Sequence, residues 1–92
     1  MTGEVFQWRG PAPFFYVAVP DAEAAQIAAV APLVTYGWGV IPVHGTLGAT
    51  RFTTSLFPKD GGYLVPLKVA LRRAEQVDDG DLVTLRVTLD GL

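Results

Sequence analysis

The amino-acid sequence predicts an all-β domain with two short helices, folded as a closed or nearly closed six-stranded barrel with a helix over each end. Three observations lead to this fold class. Apolar and polar residues alternate with a period of two along several segments, which is typical of half-buried strands. Glycine and proline separate these segments at short intervals, where turns are expected. The two halves of the chain also repeat one order of elements.

The chain is expected to begin with two strands. In residues 4–9, Phe6 and Trp8 form one apolar face of a strand, opposite a mixed face. Residues 10–13 contain two prolines and predict a turn, because proline supplies no N–H group for a strand ladder. Residues 14–19 are aromatic and β-branched without a polar face. They predict a central strand that is buried on both sides.

A helix and a third strand are expected next. The helix is predicted over residues 21–31, because Asp21 can accept hydrogen bonds from its first turn and apolar residues follow at helical spacing. Pro32 is expected to end it, since the residue before a proline disfavours the helical conformation. Residues 40–47 predict a strand, and Pro42 confines part of that strand to a sheet edge or a bulge.

The second half of the chain predicts three more strands and a second helix. Residues 51–57 alternate as a strand, and the Asp-Gly-Gly sequence within residues 58–62 predicts a hairpin turn. Residues 63–65 form the next expected strand. Apolar residues at helical spacing predict a short helix over residues 67–74. Residues 82–89 alternate strictly, which indicates a half-exposed antiparallel strand.

The two halves of the chain contain the same order of predicted elements. Tyr16 and Pro20 bound a strand that leads into a helix, a glycine turn and a strand, and Tyr63 and Pro66 begin the same order of events. A half of this size cannot bury its own apolar face, so the two halves are expected to pack together. The sequence therefore predicts a single β-barrel domain over residues 1–92.

Composition excludes several kinds of chemistry. The 92 residues include no cysteine, which excludes disulfides, thiolate nucleophiles and cysteine-bound zinc, and one histidine, which excludes multi-histidine metal motifs. The net charge of −2 argues against nucleic acid as a partner, because lysine and arginine drive phosphate binding. We predict no cofactor and no metal site.

The sequence also gives expectations about location and assembly. No basic stretch followed by an apolar run opens it, and its longest apolar stretch, residues 28–34, is far too short to span a bilayer. A cytoplasmic protein without membrane contact is expected. Hydrophobic residues make up 50% of the chain, which favours dense barrel packing or a surface buried in a dimer, so monomer and homodimer are both open.

Candidate ligand-binding residues lie around the strand expected over residues 51–57. Barrel mouths commonly bind ligands, and hydroxyl and ammonium groups here can converge on an anion. The aromatic candidates can stack on a ligand. The competing interpretation is a solvated strand face with lysines at turns, and an indole that fills a barrel corner. The full set of candidates is Trp38, Arg51, Thr53, Ser55, Phe57, Lys59, Tyr63 and Lys68.

No catalytic residue is predicted. A Ser–Lys nucleophile pair needs a buried, neutral lysine in contact with the serine, and the sequence gives no sign of such burial. His44 has no carboxylate near it in the sequence and is expected to be structural. Asp78, Asp79 and Asp81 lack the ligand spacing of a calcium loop and predict a polar turn.

The sequence resembles a bacterial family of domains of unknown function, DUF1905. The resemblance covers essentially the whole chain and rests on Gly37-Trp38-Gly39, Pro42-Val43, "TSLFPK" at residues 54–59, "GYLVPLK" at residues 62–68 and Gly80-Asp81. It implies a small double-split β-barrel capped by helices. It implies no particular chemistry.

The C-terminal half is also similar to the swapped-hairpin barrels of AbrB-like regulators and MazE-like antitoxins, through Pro66, Lys68, Arg72 and Gly80-Asp81. Those proteins bind DNA as dimers through a basic face built from both chains. The counterparts of Lys68 and Arg72 in the first half lie in residues 20–30, which include two acidic residues and no Lys or Arg. We therefore expect no duplex binding at physiological salt.

Taken together, these features predict a non-enzymatic module that binds a small ligand or a protein partner. One alternative is a DNA-binding regulator or antitoxin-like protein, which rests on the similarity of fold alone. A second alternative is an enzyme that uses the region of Ser55, Lys59 and Lys68.

Overall fold

Six strands and two helices make up the part of the chain described by the computed structural model, residues 1–8, 14–34 and 39–90. In chain order the elements are β1 (Thr2–Trp8), β2 (Phe14–Ala18), α1 (Asp21–Val34), β3 (Ile41–Leu47), β4 (Thr50–Lys59), β5 (Gly62–Leu67), α2 (Val69–Glu75) and β6 (Leu82–Leu89). Trp38, Arg9 and the turn predicted over residues 10–13 lie outside the described residues.

The strands close into a barrel in the order β1-β2-β5-β4-β3-β6, and all neighbouring pairs are antiparallel. The predicted fold class is confirmed. Exchanging β1 with β4, β2 with β5 and β3 with β6 leaves this ring order unchanged. The two ββαβ halves therefore occupy equivalent places in the barrel, in agreement with the repeated order of elements in the sequence.

Two strands change partner along their length. Residues 2–4 of β1 pair with β6 and residues 5–8 pair with β2. Residues 50–56 of β4 pair with β3, whereas residues 57–59 pair with β5. Beyond the Phe57–Leu64 pair, β4 and β5 share no ladder pair, although β5 stays paired with β2 as far as Leu67. We call the resulting gap the β4–β5 opening.

The barrel interior is filled by aliphatic side chains. Valine, isoleucine and leucine supply the largest fully buried residues, and no polar or charged residue is buried within the described ranges. Such a core is expected for a narrow barrel, whose interior is just wide enough for side chains of this size. The fully buried set is Val5, Val17, Ile41, Val43, Leu56, Val65 and Leu85.

The faces of β1 and β2 differ from the predictions. Val5, rather than Phe6 or Trp8, faces the core of β1, and Trp8 is 46% exposed. β2 is not buried on both sides, because Phe14 is 53% exposed. The prediction placed the most hydrophobic side chains in the interior, whereas Phe6, Trp8 and Phe14 lie on the outer side of the barrel.

The helices lie against opposite ends of the barrel, but their bounds differ from the prediction. α1 packs against β5 and β3 and α2 packs against β4. α1 extends to Val34 with Pro32 inside its last turn, so the expected end at residue 31 is wrong. Burial of Val34 in the core ties this last turn to the barrel. α2 begins two residues later than predicted, at Val69.

Pro42 is not at a sheet edge, contrary to expectation. β3 lies between β4 and β6 in a closed barrel, and Pro42 is paired with Ser55. The first ladder pair between β3 and β6 is Val43–Leu89, one residue further along, so the missing N–H of Pro42 removes no bond from that ladder. The carbonyl of Pro42 accepts a hydrogen bond from the N–H of Asp90 at 2.9 Å.

The hairpin between β4 and β5 has the predicted turn. Asp60 and Gly61 have φ angles of 51° and 79°, and Lys59 is paired with Gly62. Two consecutive positive φ angles are the signature of the hairpin turn that Asp-Gly favours. This turn fixes the register in which β4 begins its separation from β5.

Candidate functional site

Three of the predicted site residues meet at the β4–β5 opening. Because Leu56 faces the core, alternation places Thr53 and Ser55 on the outer side of β4. Lys68 directly follows β5 and precedes α2. The side chains of Thr53, Ser55 and Lys68 line one cavity of about 370 Å³, together with Pro42, Val43, Thr54 and Asp90.

A second cavity adjoins the first on the other side of Lys68. Its volume is about 380 Å³, and Thr54 and Lys68 line both cavities. Its remaining lining comes from the ends of β2 and β5 and from α2, namely Phe14, Phe15, Pro66, Leu67, Val69 and Arg72. We call the two adjoining cavities the Lys68 groove.

Arg72 is a residue of this groove that was not among the predicted site residues. It lies four residues after Lys68, which on a helical segment brings the two cations to the same face. Its guanidinium carbon lies 3.6 Å from the centroid of the Phe15 ring, a cation–π contact that fixes the plane of the guanidinium. The Nε atom of Arg72 is buried, and no hydrogen-bond partner for it lies among the described residues. A helical spacing of four from Lys68 is the sequence signal that could have found it.

The other end of the groove holds a carboxylate that is already paired. Oδ1 of Asp90 lies 2.5 Å from Nδ1 of His44. No carboxylate lies near His44 in the sequence, and its partner comes from a residue 46 positions away. His44 is paired with Thr88 across β3 and β6, and Asp90, two residues beyond Thr88, continues along the same face of the chain. Only the register of this ladder reveals the contact.

The structure separates the other candidates from the groove. Nζ of Lys59 lies 3.8 Å from the centroid of the Trp8 ring, and Phe57 packs edge-on against Tyr16 at 5.2 Å. Tyr63 packs against the barrel core. Arg51 lines a neighbouring cavity of about 320 Å³ with His44, Gly45, Phe52 and Thr53.

Lys59 and Phe57 belong instead to a layer of rings on the outer face of the barrel. β1 and β4 are the outer strands of the run β1-β2-β5-β4, yet Lys59 reaches the Trp8 ring. We call this layer the outer aromatic cluster; its members are Phe6, Trp8, Phe14, Tyr16 and Phe57.

A larger cavity of about 530 Å³ lies at the opposite end of the barrel, under α1. Its walls are mostly aliphatic, and Glu23, Gln26 and Arg86 supply the longer polar side chains. None of the predicted site residues that the structure describes lines it. Three of them line the Lys68 groove together with Arg72, so we place the candidate site there.

The described residues give no grounds for a metal site or a membrane span. Within residues 1–8, 14–34 and 39–90, no group of three or more His, Asp or Glu side chains is arranged to hold a metal ion. Neither of the two helices described is long and apolar enough to cross a membrane.

The comparisons with known proteins identify a family and name no chemistry. No curated protein and no solved structure matches the chain. The family model for "Domain of unknown function (DUF1905)" matches residues 2–87. Because that match spans nearly the whole chain, and the fold is the small β-barrel implied by the resemblance, the chain belongs to the DUF1905 family.

Proposed function

We propose that this domain is a non-enzymatic binding module whose small-molecule ligand occupies the Lys68 groove. The observation that carries the proposal is the β4–β5 opening itself. Between residues 52–56 and residues 65–67 the two strands share no ladder pair, and both cavities of the groove lie along this gap. A concave site with a few convergent polar groups and apolar walls is the usual form of a small-ligand pocket.

The geometry of the groove favours binding over catalysis. Ser55 and Lys68 line the same cavity, but the side-chain hydrogen bonds of the described residues include no contact between them. A serine nucleophile needs an adjacent base within hydrogen-bond reach. Lys59, the third residue of the enzyme alternative, lies instead over the Trp8 ring.

A ligand screen with a structural readout tests the proposal. A thermal-shift screen of metabolites on the full chain identifies ligands, since a ligand at about 100 times its Kd adds roughly 2.7 kcal/mol of stability. Two-dimensional NMR of the ¹⁵N-labelled chain then locates each one. We expect amide shifts at residues 53–55 and 67–72.

A matched pair of variants completes the test. Ser55→Tyr places a ring in the groove and should abolish binding, whereas Thr84→Tyr adds the same ring at an exposed position of β6 and should not. The proposal is wrong if the ligands found shift only residues around the cavity under α1, such as Ile27. It is also wrong if Ser55→Tyr, shown to be folded, binds them as the unmodified chain does.

A further inference from the structure

Resting on the proposed function, we propose that the ligand of the Lys68 groove is a small organic anion. Its carboxylate or phosphate group binds between Lys68 and Arg72, and its apolar part lies against Phe14. The inference rests on four properties of the groove: unpaired cations, a guanidinium with no hydrogen-bond partner among the described residues, nearby hydroxyl groups and an exposed ring.

The two cations of the groove have no carboxylate partner. Among residues 1–8, 14–34 and 39–90, the one acid–base contact within 4.0 Å joins His44 to Asp90, so no carboxylate contacts Lys68 or Arg72, although Asp90 lines one cavity of the groove with Lys68. The cavity that Arg72 lines contains no aspartate or glutamate. In a chain whose net charge is −2, this is a local excess of positive charge. Such a site favours an anion over a neutral or cationic ligand.

Arg72 also lacks a hydrogen-bond acceptor. Its Nε is buried without a partner among the described residues, and none of their side-chain hydrogen bonds involves its guanidinium. The stacking on Phe15 holds the guanidinium in place before a ligand arrives. Because almost none of the Nε surface is accessible, an anion in the groove binds the other guanidinium N–H groups, through the charge-assisted hydrogen bonds that arginine makes with carboxylate and phosphate oxygens.

The remaining lining indicates an organic ligand rather than a bare ion. Thr53, Thr54 and Ser55 line the groove, and the hydroxyl groups of Thr53 and Ser55, on the outer side of β4, can donate to further oxygens of the ligand. Phe14 borders the same groove and is 53% exposed, so its ring offers an apolar surface beside the cations. A ligand with an anionic group joined to an apolar or aromatic body matches both the cations and the exposed ring of the groove.

Probe molecules of similar shape and different charge show whether the charge of the ligand determines binding to the groove. We would titrate the ¹⁵N-labelled full chain with benzoate, phenyl phosphate, benzamide and inorganic phosphate, and follow the amide signals by NMR. Benzamide has nearly the shape of benzoate without its charge. We expect benzoate or phenyl phosphate to shift the amide signals of residues 53–55 and 67–72, with an affinity at least about tenfold above that of benzamide and of inorganic phosphate. Added salt should weaken the binding of the anions.

Charge-removing variants on α2 and beside it supply the control. Lys68→Gln and Arg72→Gln should each weaken binding of the anionic probe about tenfold or more. Arg73→Gln removes the same charge from an exposed neighbour on the same helix and should leave binding unchanged. If Arg72→Gln does not fold, because it loses the packing on Phe15, Lys68→Gln decides the result.

The outcomes distinguish this inference from the proposed function. If benzamide binds the groove as tightly as benzoate, or Arg73→Gln weakens binding as much as Lys68→Gln, the anion inference is overturned while the groove remains a binding site. If inorganic phosphate binds as tightly as phenyl phosphate, the organic part of the inference is wrong. If ligands from the metabolite screen bind only elsewhere, the proposed function itself fails.

Discussion

His44 and Asp90 are 46 residues apart in the sequence, and their side chains meet through Nδ1 and Oδ1 at a distance of 2.5 Å. The contact joins β3 to the end of β6, beside the Lys68 groove. Both side chains keep about half of their surface in water, at 57% and 45% exposure. Water and salt screen a pair this exposed, so the short distance does not imply a large contribution to stability.

We predict that the His44–Asp90 pair contributes little to the free energy of unfolding. A double-mutant cycle with His44→Ala and Asp90→Ala should give a coupling energy below about 1 kcal/mol, as is usual for exposed ion pairs. Urea denaturation of the four proteins measures it. A coupling well above about 2 kcal/mol would show that the pair is shielded from water to a degree that its exposure does not indicate.

Gly45 should be intolerant of any side chain. A Cβ atom at this position would lie 1.9 Å from the carbonyl oxygen of Arg86 on β6, so the two strands would have to separate. We expect Gly45→Ala to lower the free energy of unfolding by about 3 kcal/mol or to prevent folding. Gly62→Ala is the matched control, because the nearest atom to its Cβ would be 3.7 Å away. Equal losses in both variants, measured by urea denaturation, would refute the close approach of β3 and β6.

Leu64 should behave as a core residue although it lies on the outside of the barrel. Its neighbour Val65 faces the interior, yet Leu64 is only 7% exposed, because it lies opposite Phe57 beside the outer aromatic cluster. We expect Leu64→Ala to cost about 2–4 kcal/mol of stability. Leu82→Ala, at a position that is 76% exposed, should cost no more than about 0.5 kcal/mol. Similar thermal midpoints for the two variants would show that the cluster does not cover Leu64.

Pro32 provides a test of where α1 ends. Inside the last turn of the helix it removes the hydrogen bond that an N–H at position 32 would donate to the carbonyl of Ala28. Its side chain is exposed, so Pro32→Ala should raise the free energy of unfolding by about 1 kcal/mol or more. The gain should appear in urea denaturation together with added helical circular dichroism. If the helix ended at residue 31, the substitution would have no such effect.

The strands were predictable because their signals are local. The alternation of β6 gave its bounds, Leu82–Leu89, and the Asp-Gly pair at residues 60–61 gave the hairpin between β4 and β5. The choice of buried face was not local. Phe6 has the larger apolar side chain, but Val5 is the fully buried residue, because the interior of this barrel is filled by valine, leucine and isoleucine.

The candidate site could likewise be predicted only in part. Thr53 and Ser55 share a strand face, and Lys68 follows the neighbouring strand, so their meeting could be expected from the pattern. Lys59 lies on the same face of β4, and nothing in the sequence shows that its side chain contacts Trp8 instead of the groove. The contact of His44 with Asp90 depends on the register between β3 and β6, which is set by packing between distant parts of the chain.

The change of partner along β4 has a mechanical consequence. Between residues 52–56 of β4 and residues 65–67 of β5 there are no ladder hydrogen bonds to break, and three ladder pairs at residues 57–59 join these two strands. Only side-chain packing therefore opposes a widening of the β4–β5 opening. The hairpin turn at Asp60–Gly61 connects the two strands at one end of this opening. A change in the distance between these two segments therefore alters the width of the Lys68 groove without breaking a ladder hydrogen bond.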